Sequence, residues 1–478
     1  MTTGRLIPWT TAEILEATAG ELLCGDLQRQ FSWVFIDSRQ IAPGGAFIAI
    51  VGEVHDGHTF ASKVVEQGVR GVVISRDKAE SLPIAAWKAN EVVCIAVADT
   101  TRALGDLAAF NRRRANVSVV GITGSNGKTT TRQLTAMVVS QRYNTLATAG
   151  NFNNEIGLPL TLLGLKFEHQ WAVVELGTNS PGEIARLSAI CSPDIAVITN
   201  IGPAHLEKLG SIEGVAREKG SLLKALRENG QAVLNADDPR ILELARQTKN
   251  EVALYGLSPD AVIRAADVAE KEDAISFTLK LAEENIPIRL NSPGRFMVSN
   301  ALAAAAVGSL LGLSSSAIKA GLEAFRPISG RMNILHTPDG IHIIDDTYNA
   351  NPASMKAALT TLKTMRSGAR GIFVVGDMLE LGEQAPTLHA KVGSLAAQSG
   401  IIRLYADGKF ADSVTSGARR AGMPAANTIT GSREDIINDL IGWLRPGDWV
   451  LVKGSRGMAM EKVVEGLKAW AGEKKVKR

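Results

Sequence analysis

The stretch Gly121–Thr131, GITGSNGKTTT, decides the fold of this 478-residue chain. An apolar run, 117–120, precedes it and predicts a strand. Leu134, Met137 and Val138 follow it at helical spacing and predict a helix. A glycine-rich turn between a strand and a helix is the setting of a phosphate-binding loop, because converging backbone N–H groups and a helix N-terminus favour an anion. The alternative, a plain surface turn, does not explain why Lys-Thr-Thr opens a helix directly after a buried strand.

Two side chains of this loop are predicted to act on a nucleotide. Lys128 is placed to neutralise the outer phosphates, and the Thr129 hydroxyl is placed to bind Mg²⁺. Ile122 stands where the strict GxxxxGK[ST] pattern has its first glycine, so the loop is a variant of that pattern. The other residues expected to contact the nucleotide, ATP, are Thr123, Gly124, Ser125, Asn126, Gly127 and Thr130.

Length and composition narrow the class of protein. A chain of 478 residues with 45% apolar and 21% charged residues predicts about three soluble globular domains. No apolar run approaches the roughly 20 residues of a membrane span, and no secretory signal is visible at the N-terminus. A net charge of only +3 does not indicate nucleic-acid binding. Cys24, Cys94 and Cys191 lie far apart among apolar residues, which favours buried free thiols in a reducing compartment, the cytoplasm.

Apolar runs divide the chain into three α/β blocks, 1–99, 100–326 and 327–478. The first block has predicted strands at 33–36, 46–51, 71–74 and 92–97 and a helix over 60–68. The second begins with a helix over 103–113 and has predicted strands at 117–122, 171–176, 194–199, 231–234 and 252–255, a hairpin over 274–281 and 286–290, and an alanine-rich helix over 300–311. This alternation predicts a doubly wound, mostly parallel central sheet. The third has predicted strands at 342–345, 372–377, 403–408 and 449–454; it is Rossmann-like but lacks GxGxxG.

Three residues of the second block are candidates for chemistry, because ligands of open α/β sheets collect at the carboxyl ends of strands. Glu175 ends the strand WAVVE and can hold Mg²⁺; otherwise it is a solvated strand-end carboxylate. His205 follows the strand IAVIT and is either a ligand or structural. Lys219 falls on the apolar stripe of its helix. A desolvated lysine favours the neutral amine, which can add CO₂ to form a carbamate that binds Mg²⁺; alternatively it extends past the stripe to water.

Polar loops after other predicted strands are candidates for substrate binding. GNFNNEIGLP offers amide groups from Asn151, Asn153 and Asn154 to a polar ligand, although loops of this composition are commonly turns. In SGR, Arg331 can reach a transferring phosphoryl group or make a surface salt bridge.

The third block has two such loops. In DDTYNANP, Asp346 can accept ribose hydroxyls, and Asn349 and Asn351 can bind a peptide or cap the next helix. In KGSRG, Lys453 and Ser455 can form an anion site for a carboxylate, or the segment is a simple turn.

Taken together, these segments resemble the Mur ligase family of ATP-dependent amide-forming enzymes, over nearly the whole chain. The motifs that carry the resemblance are TGSNGKTT, GNFNNEIGLPLTLL, ELGTNSPGEIARL, TNIGPAHLEKLGS, DDTYNANPASM, GDMLELGE and the N-terminal DSRQIAPGGAFIAIVGEVHDGHTFASKVVEQGV. The resemblance implies that ATP drives the joining of D-alanyl-D-alanine to UDP-N-acetylmuramoyl-tripeptide, a step of peptidoglycan precursor synthesis. It also implies a cytoplasmic enzyme, and we expect a monomer.

The resemblance assigns roles to individual residues. It implies that Glu175 and His205 serve Mg²⁺, that Lys219 is carbamylated, and that Arg331 and Asp346 contact ATP. The segment Asp37, Ser38 and Arg39 corresponds to the part of the first domain that binds the nucleotide sugar.

The chain departs from the family pattern near the adenine. There the family has GxHNxxN and this chain has GRFMVSN: Phe296 and Met297 replace His and Asn, while Asn300 remains. Stacking or backbone contacts can substitute. The pattern assigns no role to Glu383 or His389.

Two other functions remain open at this stage. Another peptide-adding Mur ligase or a folylpolyglutamate-type ligase shares the phosphate loop, but the GNFNNEIG loop argues against both by resemblance. A nucleotide-driven switch is the alternative from another class, and the NKxD element typical of guanine-specific switches does not occur in the sequence.

Overall fold

The chain forms three open α/β sheets in sequence order, each covered by helices. The computed structural model describes residues 6–41, 44–52, 54–271 and 273–476. Residues 1–5, 42–43, 53, 272 and 477–478, which the predicted blocks include, lie outside the described residues. The predicted α/β fold in three domains is confirmed. No helix in the described part of the chain is long and apolar enough to cross a membrane.

The first sheet has five strands, and the four predicted apolar runs form its parallel part. In spatial order its strands are Glu21–Cys24, Val93–Val97, Gly71–Ser75, Gly45–Ile48 and Trp33–Phe35. The first of these, which the sequence pattern did not reveal, pairs antiparallel with Val93–Val97. A separate two-stranded pairing joins Trp9–Thr10 to Gln30–Phe31. The helices here are Thr11–Thr18, Ala61–Glu66 and Ile84–Ala89.

The central sheet has nine strands and carries the phosphate loop at its centre. In spatial order they are Glu284–Leu290, Ala274–Leu281, Ile263–Lys271, Glu251–Gly256, Gln231–Asn235, Ile195–Ile198, Ser118–Thr123, Trp171–Glu175 and Thr145–Ala147. Its helices are Thr100–Ala115, Lys128–Val139, Gly157–Leu163, Glu183–Cys191, Leu206–Leu209, Ile212–Lys224, Pro239–Gln247, Phe296–Leu310 and Ser315–Glu323. The strand Ser118–Thr123 pairs in parallel with both of its neighbours, so three carboxyl ends lie side by side. This arrangement positions the site.

The predicted antiparallel hairpin is confirmed, since Ala274–Leu281 pairs antiparallel with Glu284–Leu290. A third strand, which the sequence pattern did not reveal, joins this hairpin to the main sheet. Ile263–Lys271 pairs in parallel with Glu251–Gly256 and antiparallel with Ala274–Leu281. A register shift between Ala266 and Ala269, with Asp267 at φ 53°, interrupts the alternation of this strand. Its period-two signal is therefore weak, since a bulge moves side chains to the opposite face.

The third sheet has six strands and is parallel apart from one edge. In spatial order its strands are Asn333–His336, His342–Asp346, Trp449–Lys453, Gly371–Gly376, Arg403–Asp407 and Thr428–Thr430. Only the first pair is antiparallel among these described strands. The helices are Pro352–Met365, Ala385–Gln398, Ala411–Arg420, Arg433–Trp443 and Glu461–Val476.

Candidate active site

A cavity of about 1080 Å³ lies where the three blocks meet. Val51 and Gly52 of the first block reach its wall, the phosphate loop forms its floor, and the third block closes the opposite side. A cavity of this size and position, at the carboxyl ends of two sheets and between domains, is typical of a ligand site in α/β proteins.

The backbone of the phosphate loop has a shape that requires glycine. Gly124 and Gly127 have φ of 152° and 80°, and the helix Lys128–Val139 begins directly after Gly127. A Cβ atom on Gly127 would lie 2.4 Å from Oδ1 of Asn300, which also accepts a hydrogen bond from the Thr131 hydroxyl (3.2 Å). Asn300 therefore packs directly against the loop.

Hydrogen bonds from the neighbouring strand end hold the loop in this shape. The Asn126 N–H donates to Oδ1 of Asn200 (2.9 Å), while the Asn200 side-chain amide and the Thr199 hydroxyl donate to the carbonyl of Asn126 (3.0 and 2.6 Å). Ser125 is fixed in the same way, with its hydroxyl bonded to the backbone of Gly202. A loop held this rigidly is preorganised to receive phosphate oxygens.

Lys128 lines the cavity, and no carboxylate in the described part of the chain is in direct contact with its Nζ. Its Nζ donates to the carbonyl of Gly124 (2.9 Å). Burial lowers the pKa of this amine and the nearby Arg331 lowers it further, while Glu175 opposes both effects. An anionic phosphate at this position would stabilise the charged lysine.

Glu175 is the best candidate in the cavity for a metal ligand. It is 2% exposed, and its Oε1 accepts a hydrogen bond from the Asn153 amide (2.7 Å). Its Oε2 is buried and has no hydrogen-bond partner among the described residues, with Nε of Arg132 3.9 Å away. An orphaned buried carboxylate oxygen is costly and fits a bound cation. Thr129 and His205 line the same cavity.

No cluster of three or more His, Cys, Asp or Glu side chains arranged for a metal is found among the described residues. Mg²⁺ does not require one, because it is usually held by one or two carboxylates, water and substrate phosphates. The residues present therefore fit Mg²⁺ bound together with a nucleotide.

Lys219 lies on the buried face of the helix Ile212–Lys224, as its sequence pattern predicted. It is 1% exposed, and burial followed by the charge of Lys128 moves the pKa of its amine well below the ordinary value, with Glu218 opposing. The Glu218 carboxylate is itself held by the N–H groups of Gly182 and Ile184 (2.8 and 2.7 Å). A neutral amine in this environment is the form that can add CO₂.

The third block contributes an arginine and a buried ion pair to the cavity wall. The Arg331 guanidinium lies 3.9 Å above the ring of Tyr348. Asp346 accepts hydrogen bonds from the Met332 N–H (3.1 Å) and from Nζ of Lys453 (2.6 Å), and Lys453 also donates to the carbonyl of Asn349 (2.8 Å). Burial raises the pKa of Asp346, and the contact with Lys453 opposes this. Both residues thus have structural partners within the third block.

Hydrogen bonds between side chains join the third block to the wall around the phosphate loop. The Asn351 amide donates to Oδ1 of Asn126 (2.8 Å), while Oδ1 of Asn351 caps the helix Pro352–Met365. Nδ1 of His205 contacts Oε2 of Glu380. This hydrogen bond has the largest effect on the Glu380 carboxyl and lowers its pKa, whereas burial acts in the opposite direction. Ser455 lines the cavity nearby and accepts a hydrogen bond from the Leu379 N–H (2.9 Å).

Most predicted site residues face the cavity, and some do not. Those on the wall are Ser125, Asn126, Gly127, Lys128, Thr129, Thr130, Asn153, Asn154, Glu175, His205, Asn300, Arg331, Asp346, Asn349, Asn351, Lys453 and Ser455. Those outside the lining are Asp37, Ser38, Arg39, Thr123, Gly124, Asn151 and Lys219. The side chain of Arg39 is 86% exposed and forms a bidentate pair with Asp37, which lowers the pKa of Asp37 to about 2.

The two residues that depart from the family pattern, Phe296 and Met297, lie in different environments. Phe296 lines the cavity and packs against the cores of the second and third blocks, whereas Met297 is 2% exposed and lies in the core of the second block. His389 is structural: Nε2 accepts the Met378 N–H (2.9 Å) and Nδ1 donates to the carbonyl of Ala385 (2.6 Å).

Several site residues were missed by sequence reasoning. Asn200 supports the loop, Arg132 approaches Glu175, and Tyr348 and Glu380 line the cavity beside Arg331 and His205. The signal for Asn200 and Tyr348 was available, because each lies two residues after the end of a strand and stands in a motif that was already singled out. Arg132 lies one helical turn after Lys128, a spacing that places both on the same face.

Family models match all three blocks. They are described as "Mur ligase family, catalytic domain" over residues 30–112, "Mur ligase middle domain" over 122–308, and "Mur ligase, glutamate ligase domain" over 330–456.

Individual relatives match over almost the full length. The chain is 37% identical over 467 residues to the UDP-N-acetylmuramoyl-tripeptide–D-alanyl-D-alanine ligase of Escherichia coli K12, covering 97% of this chain and 99% of the relative. Among solved structures, MurF from Acinetobacter baumannii has a TM-score of 0.88 at 32% identity, covering 97% of this chain and 100% of that one. MurF from Thermotoga maritima in complex with ADP has a TM-score of 0.81 at 26% identity, covering 92% and 98%. The chain belongs to the Mur ligase family of ATP-dependent, amide-forming ligases.

Proposed function

We propose that the chain joins D-alanyl-D-alanine to the carboxyl end of UDP-N-acetylmuramoyl-tripeptide, with ATP broken down to ADP and phosphate. The observation that carries the proposal is the shared cavity, in which the phosphate loop, the orphaned Glu175 oxygen and Arg331 face one space. The names of the most similar relatives support this choice of substrates.

The reaction needs an activated carboxyl group, because a carboxylate and an amine do not condense in water. The terminal carboxylate of the tripeptide attacks the γ-phosphorus of ATP, ADP leaves, and an acyl phosphate forms. Lys128 and Arg331 offset the negative charge that is spread over the phosphoryl oxygens during this transfer. The amine of the dipeptide then attacks the acyl carbon, and phosphate leaves as the amide forms and the amine loses its proton.

We propose that Mg²⁺ is held by Glu175, Thr129 and His205, together with a carbamate on Lys219. When bound, the cation offsets phosphate charge and orients the nucleotide. The burial of Lys219 and the lowered pKa of its amine support the carbamate assignment. In this arrangement Glu175 and the modified lysine supply the negative charge that holds the cation, while Lys128 and Arg331 supply positive charge toward the phosphates.

We assign the remaining polar groups to substrate binding. Asn153 and Asn154 line the wall beside Glu175, and Asn349 and Asn351 line the wall of the third block, where amides can contact the peptide. Asp37, Ser38 and Arg39 are proposed to bind the UDP end, at a distance from the cavity. Asn300 and Asp346 are assigned to the ATP side, where Asn300 also accepts a hydrogen bond from the Thr131 hydroxyl and Asp346 one from the Met332 N–H.

Phosphate release tests this function. The purified chain with ATP, Mg²⁺ and UDP-N-acetylmuramoyl-tripeptide should release phosphate only slowly, and D-alanyl-D-alanine should stimulate release with stoichiometric peptide formation. A nucleotide switch would be indifferent to the dipeptide. A ligase of the folylpolyglutamate type would instead respond to glutamate and a folate acceptor. Parallel assays with tripeptides carrying diaminopimelate or lysine identify the third residue.

We further propose domain boundaries after residues 99 and 326 and a monomeric, cytoplasmic enzyme. The three described cysteines are free and buried, which suits a reducing compartment. Gel filtration coupled to light scattering tests the oligomeric state against the 50.7 kDa mass of one chain.

A further inference from the structure

We propose that Glu380 is a positioning residue through which the third block orients His205 at the ATP site, so that docking of this block completes the cation-binding side of the cavity. The proposal rests on the function proposed above. It concerns residues of the motif GDMLELGE that the mechanism has not used.

The contact crosses from one block to another. Oε2 of Glu380 accepts a hydrogen bond from Nδ1 of His205, and the two residues are 175 positions apart in the chain. His205 lines the cavity with its side chain 15% exposed, and Glu380 lines it at 45%. Because an ionised carboxylate can only accept, Nδ1 carries the proton and Nε2 presents its lone pair. The contact thus selects the ring nitrogen that is able to bind a ligand.

A second bond sets the approach of the two backbones. The N–H of Glu207 donates to the carbonyl of Glu380 (3.2 Å), and Gly382 lies beside Glu207, where an added Cβ would be 3.4 Å from the Glu207 Cα, an ordinary van der Waals distance. This docking uses the main chain of Glu380. A side-chain substitution can therefore remove the carboxylate while the backbone contact remains.

Both residues adopt a backbone conformation that is unusual for their type. His205 has φ 55° and Glu380 has φ 62°, in the left-handed region. That region costs a non-glycine residue roughly 1 kcal/mol or more, and such strain is typically retained at functional sites. In this structure the left-handed conformation directs the side chains of His205 and Glu380, which belong to different blocks, toward each other.

A carboxylate behind a ligand histidine fixes its orientation and increases its basicity, and removal of such a partner typically reduces metal affinity or activity by about 10- to 100-fold. Glu380 fits this role. It differs from the usual arrangement because it belongs to another block, so the support is present only when that block is docked.

Calorimetry of Mg²⁺ binding to the full-length chain in the presence of ADP tests the proposal without the peptide substrates. Glu380→Ala should weaken Mg²⁺ binding by about tenfold or more, and Glu380→Asp should restore part of it. The affinity for ADP without Mg²⁺ should not change. Glu383→Gln, which alters an exposed carboxylate in the same segment, is the matched control and should behave as the parent chain.

A double-mutant cycle separates positioning from a general docking role. If Glu380 acts through His205, then His205→Ala and the double variant His205→Ala/Glu380→Ala should bind Mg²⁺ equally weakly. Additive losses would overturn the proposal, as would Mg²⁺ binding by Glu380→Ala and Glu380→Gln within twofold of the parent. Absence of ligase activity in the parent chain would refute the proposed function, and the calorimetric result would still decide the role of Glu380.

Discussion

Gly124→Ala tests whether the shape of the phosphate loop is fixed by its contact with the neighbouring strand end. A Cβ atom at this position would lie 1.9 Å from Oγ1 of Thr199, whereas Cβ contacts below 3.0 Å are essentially not seen. The loop or Thr199 must therefore move by at least about 1.1 Å, the difference between these two distances. Thr199 cannot yield freely, because its hydroxyl donates to the carbonyl of Asn126 (2.6 Å).

The displacement should appear in catalysis more than in folding. A misplacement of about 1 Å at a reacting group costs on the order of 100-fold in rate, which corresponds to about 2.7 kcal/mol of transition-state stabilisation. We expect kcat/KM for ATP to fall by about that factor in a coupled ADP-release assay. The KM for D-alanyl-D-alanine should change little.

Gly422→Ala is the matched control. Gly422 has φ 98°, so an alanine there is strained, but no atom of the described residues lies within 4 Å of an added Cβ. It should lower the melting temperature without lowering kcat/KM. If Gly124→Ala retains full activity, or if both variants lose activity equally, the loop is not held by Thr199 as described.

Three further predictions follow from buried groups. Lys453→Met should lower the free energy of unfolding in urea by about 3–5 kcal/mol, because it leaves Asp346 buried without its cation. The double variant Lys453→Met/Asp346→Asn should regain part of that stability, and a single variant as stable as the parent would contradict the reasoning. Lys219→Ala should lose ligase activity and regain part of it with added short carboxylates, whereas Lys224→Ala, on the exposed side of the same helix, should keep its activity. Undiminished activity of Lys219→Ala would reject the carbamate. A thiol reagent at pH 8 should label the native chain slowly and should label all three cysteines after unfolding, because burial raises the pKa of Cys24 and raises the pKa of Cys94 and of Cys191 to about 12. Rapid labelling of the native chain would contradict this burial.

The parts of the site that follow from local sequence were predictable. The strand, loop and helix around Lys128 carry signals that occur within about twenty residues, and Lys219 could be placed on a buried stripe from its own helix alone. The bounds of the helix before the third block were less accurate. It begins at Phe296 rather than at Asn300, because three apolar residues, 296–298, extend the helix before the polar pair 299–300, and its N-terminus has no side-chain cap that would mark the start.

Contacts between blocks could not be predicted from one sequence. Asn351 meets Asn126 across 225 positions, and His205 meets Glu380 across 175. Each residue has an equally good local interpretation, as a helix cap or as a loop residue, and only the packing of the blocks selects its partner. The pairing of Asp346 with Lys453 likewise depends on two parallel strands becoming neighbours.

The central claim is that ATP activates a carboxyl group as an acyl phosphate. It is tested most directly with UDP-N-acetylmuramoyl-tripeptide labelled with ¹⁸O in its terminal carboxyl group. The proposed reaction transfers one labelled oxygen to inorganic phosphate for each amide formed, and mass spectrometry of the phosphate and of the peptide product measures both. Peptide formation with unlabelled phosphate, or ATP breakdown without a new peptide bond, would contradict it.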